Sequence, residues 1–314
     1  MICSRKEKFI KTTERHYKLT LTETFDKYCL KYDENYATAR MSSIRTGGCA
    51  RAAVYPETKE QLILAIKIAQ QYSDRYKIIG GCTNTFFSDK GFSGVIISTR
   101  YLSQINYNEG SIYVQAGVPL IKALRYAAGL GIELGAGLYG IPGTVGGAVR
   151  NNAGAFGTEL SDTFLCGEFY EEKTDKIIKL GTDELSFGYR NSILQSERLI
   201  FLCGTLKGKS RQTAAILRDF DSILKERRKK HPTEPSLGSF FKRHGDVIPA
   251  KLIDGAGLKG IRIGNAAVST KHSGFIVNLG GATSGEIEML AKKIEEIIYS
   301  TYGVALRREA ELVE

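Results

Sequence analysis

Apolar residues recur at helical spacing in "TKEQLILAIKIAQQY" (58–72), and Thr58 with Gln61 makes a capping-box start for a helix. "KIIGG" (77–81) and "GVIIST" (94–99) are short apolar runs ending in turns, the pattern of buried strands, while "SIYVQAG" (111–117) alternates like a half-buried strand. "VPLIKALRYAAGLG" (118–131) predicts a helix with Pro119 near its start and Gly131 just past its end. Further strands are expected at "FLCGEFY" (164–170), "KIIKL" (176–180) and "LIFLCGTLK" (199–207). A helix over about 213–230 carries Ile216, Leu217, Phe220, Ile223 and Leu224. The last unit holds "AKLIDGAGLKG" (250–260), "GFIVNLG" (274–280) and a helix over about 285–302, opened by a Thr283–Glu286 capping box and striped by Ile287, Leu290, Ile294, Ile297 and Ile298. Helices and short strands thus interleave, an α+β chain with no internal repeat.

Between these elements, residues 131–157 read "GIELGAGLYGIPGTVGGAVRNNAGAFG". The stretch is too apolar between its glycines for a linker, and glycine at this density lets backbone approach a partner closely. A literal GxGxxG occurs at 135–140, with Glu159 about twenty residues on. It follows a helix rather than a strand, and Pro142 with more glycines stands where the phosphate-binding helix should run, so a Rossmann reading is rejected. What remains is a pair of NH-rich loops, "GGCTN" (80–84) and "GIPGTVGG" (140–147), with Thr83, Asn84 and Thr144 as side-chain donors. Either loop alone is explained as a tight turn; two together favour a buried dinucleotide such as FAD.

Length and charge narrow the field. A chain of 314 residues, 42% hydrophobic and 25% charged, is ordinary globular material for two or three lobes. No apolar run approaches a membrane span, and the basic start "MICSRKEKFIKTTERHYK" lacks a secretion signal's apolar stretch, so a cytoplasmic location without membrane insertion is expected. The six cysteines, including Cys3, form no CxxC pair, and the four histidines have no ligand spacing, which argues against a metal site and a disulfide scaffold. The net charge of +10 suits a polyanionic partner. Its densest cluster, "KERRKKH" (225–231), fits a solvated helix end or a funnel for phosphates better than a nucleic-acid surface.

"GIPGTVGGAVRNNAGAFGTEL" (140–160) is similar to the flavin-binding segment of the UDP-N-acetylenolpyruvoylglucosamine reductase family. The likeness runs from about residue 36 to the end, through "IRTGGCA" (44–50), "GGCTN", "FGYRNS" (187–192), "PSLGSFFK" (235–242), "AKLIDGAGLKG", "STKHSGFIVN" (269–278) and "RREAEL" (307–312). The first loop is shared with the wider vanillyl-alcohol-oxidase group; "FGYRNS" with "GSFFK" is more specific. The resemblance implies a two-lobed FAD-binding domain of the vanillyl-alcohol-oxidase/PCMH type plus a C-terminal α+β substrate domain. The expected bounds are an N-terminal extension over 1–33, flavin subdomains over 34–104 and 105–210, a substrate-binding domain over 211–303, and a tail over 304–314 with a catalytic glutamate; from the residues alone, the Pro/Gly-rich segment 231–239 is the best domain boundary.

The activity implied is NADPH-dependent, FAD-mediated reduction of UDP-N-acetylglucosamine enolpyruvate to UDP-N-acetylmuramate, a step of peptidoglycan precursor and cell-wall synthesis. Such a reduction needs positive charge at a developing enolate and one proton delivered to carbon. The resemblance assigns these tasks to Arg190, Ser239 and Glu309; taken alone they read as a strand-end ion pair, a turn residue and a solvated charge. Glu309 is preferred to Glu311 because it stands three residues after Leu306, as the family's glutamate does. Cofactor contacts are expected at Arg45, Thr46, Gly80, Gly81, Cys82, Thr83, Asn84, Gly140, Ile141, Gly143, Thr144, Gly146, Gly147 and Ala148. Substrate contacts are expected at Tyr189, Arg228, Lys242 and Lys251. A non-covalent flavin is expected, with Cys82 the one nucleophile in the loops, and the protein is expected to be a monomer. Arg243–His244 stand where the family has Asn-Pro, Arg150 where it has a larger uncharged residue, and "RREAEL" departs from its commoner Glu-Val ending. Only 48 residues lie between Arg190 and Ser239, which implies the shorter subtype without an inserted substrate loop. Two other readings stay open. A flavin oxidase of the wider fold leaves "GSFFK" unexplained, and a non-catalytic flavin- or nucleotide-binding protein would bind flavin that NADPH cannot reduce.

Overall fold

The first lobe carries five strands: β1 (Tyr32–Ala37), β2 (Cys49–Val54), β3 (Tyr76–Ile79), β4 (Thr85–Phe87) and β5 (Phe92–Ser98). Four of them form one sheet in the order β1-β2-β5-β3, with β1 antiparallel to β2 and both β2 and β3 parallel to β5. The computed structural model describes residues 19–72 and 75–314. Helix α1 (Leu21–Lys27) starts at a reciprocal Thr20–Glu23 capping box. Helix α2 (Lys59–Gln71) starts at Thr58, whose Oγ1 accepts the Gln61 N–H at 3.2 Å. The return bond lands one residue early, from the Glu57 N–H to Gln61 Oε1 at 2.7 Å. Leu62, Ala65, Ile66 and Ala69 of α2 pack with Val95 and Ile97 of β5 and with Leu21 and Phe25 of α1. Residues 21–33 are therefore part of the first core, because two large apolar side chains on α1 have a buried face to fill; burying each contributes roughly 1.5–3 kcal/mol. Residues 1–18 of the expected extension, Cys3 among them, lie outside the described residues.

The second sheet is antiparallel throughout. Its strands β6 (Ile105–Asn108), β7 (Ser111–Gln115), β8 (Phe164–Glu171), β9 (Lys176–Gly181) and β10 (Leu199–Lys207) lie in the order β9-β8-β10-β7-β6. Tyr170, Ile200 and Leu202 share the first lobe's core, so the lobes around residue 104 are fused through apolar contact. Helix α3 (Leu120–Gly129) begins after Pro119, and Gly131 follows it at φ +70°.

The glycine segment holds one helix that the sequence pattern did not show, α4 (Val145–Arg150). Thr144 caps it, and Gly146 lies against β7: a side chain there would meet Ala116 O at 3.0 Å. A two-residue strand, Ile132–Glu133, precedes "GAGLYG" where the sequence reading had a helix, but the next α-helix starts five residues past the motif, so the motif still lacks the helix start that a dinucleotide fingerprint needs. Helix α5 (Thr213–Lys230) was expected to open the substrate domain, yet Ile216 and Phe220 are buried in the second lobe's core. The cause is a stacked aromatic pair: the Phe220 ring lies 3.9 Å from that of Tyr139, at 2°.

The third unit is a four-stranded antiparallel sheet made by β11 (Ser236–Ser239), β13 (Arg262–Ile263), β14 (Ala266–Val268) and β15 (Phe275–Asn278), in the order β11-β15-β14-β13; the short β12 (Phe241–Lys242) stands apart. Helices α6 (Pro249–Gly255) and α7 (Ser284–Tyr302) pack on it, and α7 buries Ile287, Leu290, Ile294 and Ile298. The Thr283–Glu286 capping box is present in both directions, at 3.1 Å each. The chain then returns. β16 (Arg307–Arg308) pairs with β12, and β17 (Glu311–Val313) adds parallel to β4 in the first lobe. Arg308 pins this tail to α7 through Glu288 at 2.8 Å and Glu295 at 2.6 Å.

Candidate functional site

The two glycine loops meet face to face. β3 ends at Ile79 and delivers Gly80 and Gly81 against the second loop. A Cβ on Gly80 would sit 2.2 Å from Thr144 Oγ1, and one on Gly81 would sit 2.7 Å from Gly143 Cα. Only glycine permits that approach. Thr83 Oγ1 donates to Pro142 O at 3.2 Å and closes the contact. A cleft of about 880 Å³ runs along the loops, lined by Gly80, Gly81, Cys82, Thr83, Asn84, Gly140, Ile141, Gly143, Thr144, Gly147 and Ala148. That is ample for a dinucleotide.

Three expected cofactor contacts lie behind this lining. Gly146 donates its N–H to Ala116 O at 2.9 Å, and Arg45 donates to Ser42 O at 2.9 Å from left-handed backbone. Thr46 is buried, and its Oγ1 is the one buried side-chain polar atom among the described residues without a hydrogen-bond partner. An orphaned hydroxyl and a glycine-walled cleft both fit a polar dinucleotide such as FAD. Cys82 is buried: its thiol donates to Thr85 O at 3.3 Å, and burial pushes it up to about 12, so it is no ready nucleophile.

Ser239, Arg190 and Glu309 line the same cleft, each from a different part of the chain. Ser239 ends β11 after Gly238, whose φ of +77° accompanies a break in register between Ser236↔Val277 and Ser239↔Phe275. The next residue, Phe240, is buried beside Phe86 and donates its N–H to Gly274 O at 2.8 Å. Its carbonyl accepts the Glu309 N–H at 2.8 Å, so serine and glutamate hang on one stitched segment. Asn84 of the first loop donates Nδ2 to Glu309 O at 2.9 Å. Arg190, at φ +52°, donates to Gly154 O, and its Nε lies 3.3 Å from Glu309 Oε1. Burial raises the Glu309 carboxyl above the ordinary glutamate range, against the pull of Arg190 and Lys242. Such a group can hold a proton at a pH where a free glutamate has lost it.

The expected substrate contacts divide. Tyr189 lines the cleft, and the Arg190 guanidinium lies 5.0 Å from its ring. Lys242 lines an adjoining groove with Tyr189, Arg243, His244 and Arg307, and Arg243 reaches both spaces. Lys251 and the exposed Arg228 line neither. Arg227 lines the cleft instead: its Nε donates to Tyr139 O at 2.9 Å, its Nη2 to Gly137 O at 3.1 Å, and its guanidinium covers Phe156. The signal was in the helix phase, since 216, 220, 223, 224 and 227 continue one stripe. His231 and His272 of the cleft were missed as well; burial first, then nearby cations, push His231 down to about 4.

Similarity to known proteins follows the same division. A profile described as an FAD binding domain matches residues 50–173, and one for the C-terminal domain of UDP-N-acetylenolpyruvoylglucosamine reductase matches residues 230–313. The UDP-N-acetylenolpyruvoylglucosamine reductase of Caldicellulosiruptor saccharolyticus is 38% identical over 275 residues, covering 87% of this chain and 88% of that one. That of Clostridium perfringens is 34% identical over 270 residues, covering 86% and 88%. The crystal structure of the Thermus caldophilus enzyme aligns with a TM-score of 0.77 at 29% identity, over 91% of this chain and 99% of the other.

Proposed function

The chain belongs to the UDP-N-acetylenolpyruvoylglucosamine reductase family, and from that premise we propose that its cleft takes electrons from NADPH and reduces the enolpyruvyl double bond of UDP-N-acetylglucosamine enolpyruvate. The product is UDP-N-acetylmuramate, for peptidoglycan precursor synthesis. It is an FAD-dependent oxidoreductase of the vanillyl-alcohol-oxidase type of fold. The observation that carries the reading is the convergence of Ser239, Arg190 and Glu309 on a cleft continuous with both glycine loops.

FAD, bound non-covalently along those loops with the Thr46 hydroxyl as a further contact, supplies the hydride chemistry. When hydride adds to the methylene carbon of the substrate, the double-bond electron pair moves to the α-carbon as an enolate of the adjacent carboxylate. Arg190 faces that charge with its planar guanidinium. Ser239 Oγ–H gives its proton to the α-carbon, and solvent restores it. A hydroxyl is a weak acid, so placement matters more than acidity, and the Phe240 anchor supplies it. Glu309 keeps Arg190 oriented and carries a proton within the cleft. Tyr189, Lys242 and Arg243 offer cationic and aromatic contacts to the nucleotide diphosphate.

Anaerobic titration tests this. NADPH should bleach the flavin absorbance, and the enolpyruvyl sugar nucleotide should restore it. Reduced flavin left untouched by the sugar nucleotide would overturn the substrate assignment.

A further inference from the structure

Two residues beyond Glu309, Glu311 brings another carboxylate into the cleft, and the reaction above gives it no task. Its two oxygens are shared between cations from different elements. Lys77 Nζ pairs with Oε1, and Arg150 Nη1 lies 3.6 Å from Oε2. Lys77 sits on β3, just ahead of the first glycine loop, and Arg150 closes α4, the helix that leaves the second loop. All three residues line the cleft.

The main chain is fixed at the same place. The Glu311 N–H donates to Asn84 O at 2.9 Å, and Asn84 Nδ2 donates to Glu309 O at 2.9 Å. Asn84 thus grips the tail on both sides of Ala310, while the Glu311 side chain reaches across to α4. A single part-exposed ion pair contributes little; one carboxylate tying three segments constrains more, because each contact is made by groups the others already hold. Without that carboxylate, Lys77 and Arg150 would face each other as like charges.

From this geometry we infer that Glu311 is a positioning residue: with Lys77 and Arg150 it clasps both cofactor loops to the C-terminal segment, so that binding FAD between the loops and seating Glu309 against Arg190 are one coupled event. The coupling is reciprocal, as any linkage between two sites must be. This rests on the reductase reading above.

The test uses Glu311→Gln and Glu311→Asp on the full chain. Glu311→Gln should weaken FAD binding, read by flavin fluorescence during titration of the stripped protein, by about 10-fold. It should slow anaerobic reoxidation by the enolpyruvyl sugar nucleotide by about 10-fold while flavin reduction by NADPH changes less than about twofold. Glu311→Asp should recover most of both effects. Wild-type FAD affinity and reoxidation in Glu311→Gln would overturn the clasp, and so would lowered thermal stability with FAD affinity intact. Should Glu311→Gln not fold, Arg150→Met carries the test, with a smaller loss of FAD affinity expected and no loss refuting the clasp. If the wild type itself is not reoxidised by the sugar nucleotide, the reductase reading falls and FAD affinity alone decides the clasp.

Discussion

Glu309 Oε1 lies 3.3 Å from Arg190 Nε, joining the C-terminal tail to the second lobe inside a shared cleft. Burial raises the Glu309 carboxyl, and Arg190 and Lys242 lower it in part. With the folded value above the unfolded one, the native protein keeps a proton that the unfolded chain has lost. Stability contributed by this group is full below the ordinary glutamate range and falls as pH rises through the raised value. Glu309→Gln has no such proton to lose. Its melting temperature relative to wild type should climb as pH rises through that window and then level off. Reoxidation by the sugar nucleotide should slow by about 100-fold in the same variant. A difference in melting temperature flat with pH would remove the ionisation of Glu309 from the account.

Ser239→Ala separates the half-reactions. NADPH-driven bleaching of the flavin should persist, and recovery of colour on adding the sugar nucleotide should slow by roughly 10²–10⁴-fold, the usual range for losing a placed proton donor. Stopped-flow absorbance reads both phases. Normal turnover would sink the assignment.

Thr46 Oγ1 is buried without a partner, and an unsatisfied buried hydroxyl costs about 1–3 kcal/mol. Thr46→Val should therefore leave the flavin-free protein as stable or more stable, by calorimetry, while FAD binds several-fold more weakly, on the order of one lost hydrogen bond. Unchanged FAD affinity would mean the hydroxyl contacts no cofactor.

Arg227 and Arg228 adjoin in sequence and differ in surroundings. Arg227→Lys loses the fork to the Gly137 and Tyr139 carbonyls and should loosen the second loop, weakening FAD binding by about 10-fold. Arg228→Ala, at an exposed position, should change it by less than about twofold. Equal effects from the two would refute the distinction.

This pair also shows what the sequence made legible. Helix α5 was readable to its last residue, and its apolar stripe, extended one more turn, points at Arg227; local periodicity carries that much. The capping box of α7 was readable for the same reason, since both partners lie within one turn. Helix α4 was hidden, because Gly146 answers to Ala116 across the lobe rather than to helix propensity. Ser239, Arg190 and Glu309 came from resemblance alone: nothing in a turn serine or a tail glutamate announces chemistry. The Lys77–Glu311–Arg150 cluster had no local signal at all, because its members meet only once distant strands are paired.

The return of the tail to β4 has a temporal side. The contact between Asn84 and Glu309 closes a loop of 225 residues, and closures of that span come late in folding. A ribosome delivers both glycine loops, Arg190 and Ser239 before it delivers Glu309. In a nascent chain the cofactor loops thus precede the carboxylates that tie them together, and the site becomes whole only when β17 slots in beside β4.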